Sequence, residues 1–488
     1  MTNRLSFTTL GLALVFMLSL SACAVGPNFV VPDTIKQGDY VRSDFPEATV
    51  ATATQAGGAQ RFVKGAEPSS AWWTVFKSEP LNALVEQALR ANPTIPAAEA
   101  ALRVAQETMF AQQGAFFPTV TAGVSPTRQK IAQTLASPAM SGATLYNLHT
   151  AQLNISYAID VFGGNRRQVE ALAAQADFQR FQLEAARLTL ATNVVGAAVQ
   201  IALLNDQIAA TQASIRTASE QLAILRKQLA LGAIPEANVI AQEALDAQAR
   251  AVLPPLQKQL AQQTDLLAAL TGRFPSELPE VSLHLDDLQL PQDLPMSLPS
   301  KLVEQRPDIR AAEEQMHAAS AQIGVATAAL LPQFTLTAGA GSAALRVADL
   351  FKSGTGFWSL AGGIAQPLFD GSTLRHKKRA AEAAYEQAAQ QYRATVLSAF
   401  QNVADTLHAI RADADIVATA YASERATFAT LTIARRQVEL GDTSYLSLLN
   451  AEQAYQQTRI ALIQAKASRF MDSAALFQAL GGGWWNRY

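Results

Sequence analysis

Few residues in this sequence are placed for chemistry. The five histidines, His149, His284, His317, His376 and His408, stand far apart with no second ligand at metal spacing, so no metal site is expected. No GxSxG or SxxK serine motif, glycine-rich phosphate loop or CxxC pair occurs, which leaves hydrolase, nucleotide and redox chemistry without residues to perform it. Neither an enzymatic activity nor a cofactor is expected. The one group positioned for a covalent step is the thiol of Cys23, the only cysteine in the chain. Leu20-Ser21-Ala22 sets small residues before it, at the end of a leader with Arg4 near its start and an apolar stretch, Leu10 to Leu20, too short for a stable span. That arrangement resembles a bacterial lipobox, in which the cysteine receives diacylglycerol and then an N-acyl chain; residues 1–22 are then a signal peptide and the mature chain begins at Cys23. The alternative is an unpaired exported thiol. Aspartate in the following position typically holds a lipoprotein at the inner membrane, so Ala24 points to the outer membrane. Acyl chains attach a protein to a leaflet but cannot make a pore.

The rest of the chain must be read from the elements it builds. With 488 residues, 49% hydrophobic and 16% charged, it is long enough for two or three domains and too apolar for disorder. A formal net charge of -2 gives no basic surface to displace counterions, so a nucleic-acid partner is excluded. Beyond the leader, no run of apolar residues is expected to cross a bilayer as a helix, and any crossing must use strands.

The chain repeats itself. Asn92-Pro93 through Pro118 recurs 214 residues later as Arg306-Pro307 through Pro332, with Leu84, Ala97, Glu99 and Thr121 matching Leu298, Ala311, Glu313 and Thr335. Further on, Phe162-Gly163-Gly164 pairs with Phe369-Asp370-Gly371 at an offset of 207, and Leu231-Gly232 with Leu440-Gly441 at 209. The shortfall of seven between Pro332 and Phe369 is expected in a loop, where deletions are tolerated.

Each half contains one very long helix. Gly164 to Gly232 holds no proline and one internal glycine, and Gly371 to Gly441 holds neither. At about 1.5 Å per residue either stretch is a rod of roughly 100 Å, which needs packing partners along its length. Gly232 and Gly441 sit where a helix end takes positive φ. Returning segments run from Glu236 to Gly272, interrupted by Pro254-Pro255, and from Tyr445 to Leu480; shorter helices, Pro96 to Phe116 and Pro307 to Leu330, precede the loop regions. Flanking the loops the period changes to two: Leu153, Ile155, Tyr157, Ile159 and Val161 alternate with Gln152, Asn154, Ser156, Ala158 and Asp160. Val120, Ala122 and Val124 form the partner strand, and in the second half Phe334, Leu336, Ala338 and Ala340 face Trp358, Leu360, Ile364 and Leu368. Strands of about ten residues with this alternation suit an outer-membrane barrel, the alternative being soluble hairpins packed on the helices. Four strands cannot close in lipid, where each unpaired backbone group costs several kcal/mol. Oligomerisation follows, and three copies, giving twelve strands, leave a lumen where two copies fill with side chains.

The segment CAVGPNFVVP from Cys23 to Pro32, the pair Trp72-Trp73 and ALGGGW from Ala479 to Trp484, on this duplicated plan, resemble the TolC-like outer-membrane efflux factors of the OprM/NodT branch across nearly the whole mature chain. The resemblance implies a mixed α and β, mainly helical protomer, internally duplicated. In the family it trimerises into a 12-stranded transmembrane β-barrel continued by a 12-helix periplasmic α-barrel. Residues 23–75 become a lipidated N-terminal segment, 76–273 and 301–484 the two repeats, 274–300 an equatorial linker and 485–488 a tail. The implied function is the exit duct of a tripartite efflux pump for drugs or other small toxic compounds, partnered by a periplasmic adaptor and an inner-membrane proton-driven transporter. A type I secretion duct for polypeptides and a non-conducting lipoprotein scaffold are the rival functions. Two tips resemble adaptor-docking turns, Leu231-Gly232-Ala233 and Leu440-Gly441-Asp442, which also read as plain helix caps.

The resemblance places the periplasmic aperture at Leu446, Asn450 and Gln453, whose spacing of four and three shares one helix face. The family's usual aspartate is here Asn450 and its usual arginine Gln453, so this mouth lacks a ring of charge and is expected to open more easily, unless Asn450 faces a neighbouring helix. Two features stay open. The basic run Arg375-His376-Lys377-Lys378-Arg379, with Arg166-Arg167 in the first half, either meets lipid phosphates or is a solvated face. Asp405, Asp413 and Asp415 either face a lumen or do not.

Overall fold

The computed structural model describes residues 24–32, 39–41, 45–135, 144–279 and 281–487. Cys23 and the signal segment 1–22 lie outside these described residues. The first half runs through β1 (Arg61–Lys64), α1 (Glu79–Ala91), α2 (Thr94–Gln113), β2 (Thr119–Lys130), β3 (Leu145–Ile159), α3 (Gly164–Ala230) and α4 (Glu236–Leu270). The second continues with β4 (Asp293–Met296), α5 (Pro299–Gln305), α6 (Pro307–Ala328), β5 (Gln333–Ala344), β6 (Gly356–Ala365), α7 (Thr373–Glu439) and α8 (Tyr445–Ala479). Both long helices have 67 residues and both returning helices 35. Their starts are capped by carboxylates: Asp160 accepts from the amides of Asn165 and Arg166 at 3.0 Å, and Asp370 from that of Leu374 at 2.8 Å.

Two compact units are built from both halves. One takes the chain up to Val31, Ala101–Gln179 and Ala312–Tyr392; the other takes Pro32–Ala100, Arg180–Ala311 and Arg393–Tyr488.

The first unit holds a four-stranded antiparallel sheet in the order β2-β3-β5-β6. Phe334, Ala338 and Ala340 lie opposite Ile364, Leu360 and Trp358, the pairing expected from the period of two. The apolar face does not pack on helices: Val120, Val124, Leu153, Trp358, Leu360 and Ile364 are all exposed, against the soluble-hairpin alternative. Three expectations are corrected. Val161 and Leu368 fall beyond the strand ends, where the chain turns into its long helix. The seven-residue shortfall is only partly in the loop, from Lys130–Leu145 to Ala344–Gly356, and more in the returning strand, 15 residues in β3 and 10 in β6. The offset of 207 is confined to the turn, since register sets β3 against β6, and helix starts set α3 against α7, at 209.

The second unit contains a small parallel sheet that ties β1 to β4, with Phe62 opposite Leu294. Strands of four residues carry too little periodicity to be read from sequence. Beside it the chain from Thr49 to Gln60 is held by Arg469, a fully buried guanidinium. It donates to the carbonyls of Ala56 and Gly58 at 2.8 Å, to Thr49 Oγ1 at 2.9 Å and to Gln60 Oε1 at 3.2 Å. Gln60, also fully buried, passes its own protons to Pro291 O and Ser473 Oγ. A buried polar cluster joined by these hydrogen bonds defines one packing of this strap on α8.

Two helical expectations are also revised. Pro254 and Pro255 do not interrupt α4, which continues through them. The carbonyls of Arg250 and Ala251, whose helical donors the prolines remove, lie on a solvent-exposed stretch. One 18-residue window of α3 has mean hydropathy 1.5, apolar enough for a bilayer, but its Val194, Val195, Val199, Ile201 and Leu204 are buried in the second unit.

Of the three aspartates on α7, Asp405 and Asp415 are exposed while Asp413 is buried, so Asp413 faces no lumen. Burial, then the hydrogen bond and charge of Asp472, push its carboxyl up to about 7, with Arg469 opposing. The folded chain therefore holds a proton that the unfolded chain, with an aspartate near pKa 3.9, releases earlier. Stability is expected to fall as pH rises from about 4 through 7, and Asp413→Asn to remove that slope while leaving the protein more stable than its parent at pH 8. Urea unfolding at pH 5 and pH 8 checks this; parallel curves for parent and variant refute it.

Candidate functional site

Both hairpins of long helices end in the same turn. At the first tip the amide of Gly232 bonds to Leu229 O at 2.8 Å and that of Ala233 to Gln228 O at 2.9 Å; at the second, Gly441 bonds to Val438 O at 3.1 Å and Asp442 to Gln437 O at 2.8 Å. This paired pattern closes a helix only through a left-handed residue, and the two glycines have φ of 71° and 74°. Helix capping thus accounts for the glycines. It does not account for Leu231 and Leu440, which are 84% and 65% exposed at the apex of each turn. Each turn thus presents one exposed leucine at its apex.

The three residues expected at the aperture share one face at the start of α8. Leu446, Asn450 and Gln453 are exposed, while Leu448, Leu449, Ala451 and Glu452 turn inward. Leu448 and Ala451 pack on Leu431 and Ala434 of α7, which fixes the helix rotation and leaves the other three pointing away. Asn450 therefore faces no helix among the described residues of its own chain.

A polar lock behind this face was not legible in the sequence. Tyr445 packs on the apolar clusters of both hairpins and donates its hydroxyl to Gln242 Oε1 at 2.7 Å. Gln242, fully buried, donates to Ala218 O at 2.9 Å and to Gln221 Oε1 at 3.2 Å, and Gln221 in turn to Glu452. Arg435 reaches the same carboxylate at 3.4 Å. Burial, with the negative charge of Glu452 adding to it, raises the pKa of the Tyr445 phenol, so the hydroxyl stays a donor. These residues join α3, α4, α7 and α8 beside the aperture face. The only signal available beforehand was a buried-period position, Gln242, occupied by a polar side chain.

The family model described as "Outer membrane efflux protein" matches residues 84–273 and 298–482. The chain belongs to this family. The pyoverdine export outer membrane protein OpmQ of Pseudomonas putida is 30% identical over 428 residues, 86% of this chain and 89% of that protein. The probable efflux pump outer membrane protein TtgC of Pseudomonas putida is 28% identical over 96% of both chains. Among solved structures, the outer-membrane channel OprN superposes with a TM-score of 0.84 at 27% identity, over 95% of this chain and 100% of that one. The protein is thus an outer membrane efflux protein of the TolC-like kind, in a family of transport proteins. The motif residues that carried the family resemblance have structural roles in it. Trp72 stacks on Phe477 at 5.4 Å, Trp484 donates to Gln305 O at 2.7 Å, and Gly481, Gly482 and Gly483 all take positive φ.

Proposed function

We propose that this outer membrane efflux protein assembles as a homotrimer, three four-stranded sheets closing a 12-stranded barrel in the outer membrane and the long helices walling a periplasmic duct. What carries this is the sheet of the first unit, whose apolar face is open and whose edges β2 and β6 pair with nothing among the described residues. Strands of 10 to 15 residues, tilted as in barrels, match an apolar band of about 25 Å. The helices ask for the same neighbour. Of α2 only Ile95 is buried, whereas its counterpart α6 buries Ile309, Ala311, Met316, Ala321 and Ile323. Likewise α3 buries Ala171, Ala174 and Phe181, while α7 buries nothing before Ala388. An internal duplication, supported by the two-part family match and by the paired helix lengths, makes the bare α2 and α7 faces of adjacent copies complementary.

In this assembly Cys23 carries diacylglycerol and an N-acyl chain as an outer-membrane anchor. The tips at Leu231-Gly232-Ala233 and Leu440-Gly441-Asp442 dock a periplasmic adaptor, and a proton-driven inner-membrane transporter loads the duct. The cargo is a class of small toxic or secreted molecules, as the names of the relatives suggest. Discrete conductance steps from purified protein in planar bilayers are expected, and an impermeable monomer would end the proposal.

Three copies of the α8 face put Leu446 in an apolar ring and Asn450 in an uncharged polar ring at the aperture. Asn450→Asp is expected to raise cation selectivity several-fold, because a carboxylate ring concentrates cations in a narrow mouth, and to lower the open probability, since Gln453 then donates to a charged acceptor. Single-channel recordings in a salt gradient decide; identical reversal potentials and gating would exclude Asn450 from the aperture.

A further inference from the structure

Each half leads from a strand into a long helix through a short turn, and both turns are followed by cationic residues. In the first half these charges are used inside the fold. Arg166 lies 3.5 Å from Asp160. Arg167 is buried and donates to Val25 O at 3.2 Å, to Asn28 Oδ1 at 2.7 Å and to Glu170 at 2.7 Å. The chain after Ala24 thus covers this turn, with Phe29 stacked on His317 at 4.5 Å.

The matching turn at the start of α7 is more basic, and its own chain leaves it uncovered among the described residues. It carries Arg375, His376, Lys377, Lys378 and Arg379. Among the described residues only Lys378 has a carboxylate partner, Glu382 at 3.5 Å, and Asp370 spends one oxygen on the Leu374 amide. Arg375, His376, Lys377 and Arg379 are exposed. Five consecutive helical residues pass once round the axis, at about 3.6 residues per turn, so whichever side of α7 faces outward is cationic. Before them, in the turn that follows β6, Leu368 and Phe369 are 95% and 93% exposed. Bare apolar side chains next to unpaired cations, a few residues beyond a strand, match the boundary between acyl chains and headgroups.

We propose that this turn binds anionic phospholipid of the periplasmic leaflet, its phosphates accepting from those of Arg375, Lys377 and Arg379 that lie on the outward side of α7 while Leu368 and Phe369 lie among the acyl chains. In the first half the backbone carbonyls of the N-terminal strap supply acceptors to Arg167; in the second half lipid phosphate supplies them. The proposal rests on β6 crossing the bilayer.

The test uses the full-length protein in detergent, titrated with dioleoylphosphatidylglycerol or dioleoylphosphatidylcholine, with retained lipid counted by native mass spectrometry. Phosphatidylglycerol is expected to be retained at roughly tenfold lower lipid concentration than phosphatidylcholine. The preference should collapse as salt rises from about 0.1 M to about 1 M, where screening shortens from about 10 Å to about 3 Å. Arg375→Gln/Lys377→Gln/Arg379→Gln should abolish it, and Arg216→Gln/Lys258→Gln, on α3 and α4, should not. Equal retention of the two lipids, a salt-independent preference, or full preference in the triple variant would overturn the proposal. If the triple variant fails to fold, the lipid and salt comparison on the parent decides alone. Conductance of the same preparation separates the two readings: a conducting pore without lipid preference defeats only this inference, and a non-conducting one defeats the channel.

Discussion

Chains carrying Gly123→Cys together with Ala365→Cys are expected to run as covalent trimers after mild oxidation, and each single variant as a monomer. The pair follows from the duplication. Within the chain Ser156 of β3 lies opposite Thr337 of β5. The hairpin registers, Thr119 opposite Ser156 and Gln333 opposite Ala365, set β5 214 residues after β2 and β6 209 after β3. Moving that central pairing by one repeat places Ala365 of one copy opposite Gly123 of the next, because β6 and β2 are the two open edges. Lipid offers those edges no hydrogen bonds, so the neighbour's strand is the available partner. Complete oxidation distinguishes the ring sizes: a closed ring of three stops at the trimer, a ring of two at the dimer, and an open array continues into a ladder. Gly123 has no atom within 4 Å of where a Cβ would stand, so the substitution itself is tolerated. No linkage in the double variant, with both single variants folded, would refute both the register and the β6 to β2 closure.

Arg469→Met is expected to destabilise the second unit by about 3–5 kcal/mol, the range for removing one member of a buried charged network. The methionine fills most of the volume but donates nothing, leaving the buried Thr49 Oγ1, Gln60 Oε1 and Ala56 carbonyl without this donor, while the more exposed Gly58 carbonyl can turn to solvent. The strap should then detach before the helices unfold. Limited proteolysis is expected to cut within residues 49–60 of the variant under conditions where the parent stays intact, while helical circular dichroism changes little. A variant that resists cleavage as well as its parent would show that the β1–β4 pairing alone holds the strap.

Much of the architecture was legible because its signals are local. A 67-residue helix shows as an absence of proline together with Ala, Leu and Gln at helical spacing, and a strand as alternation. The tips were legible through one glycine each, since a positive φ at a helix end is a property of that residue. The exposed face at the start of α8 was half legible. Spacing put Leu446, Asn450 and Gln453 on one side of α8, but only the packing of Leu448 and Ala451 on α7 shows that this side is free. Asp413 marks the limit, because an aspartate on a polar helix reads the same whether the tertiary contact buries it or not.

By itself, then, the sequence determined the long helices, the four long strands, their order, the glycine turns at the helix tips and the family they compose, since each depends on residues within a few positions or on comparison of one half with the other. The short strands β1 and β4 and the exact element ends it did not determine. Tertiary structure alone decided which partners meet across distance. It brought Arg469 to Thr49 and Gln60, Tyr445 to Gln242, and β1 to β4, and it left most of α2, the start of α7 and the two sheet edges bare. The physical reason is that hydrogen bonds and packing between residues hundreds of positions apart impose no spacing on the sequence, only complementarity once the chain has brought them together.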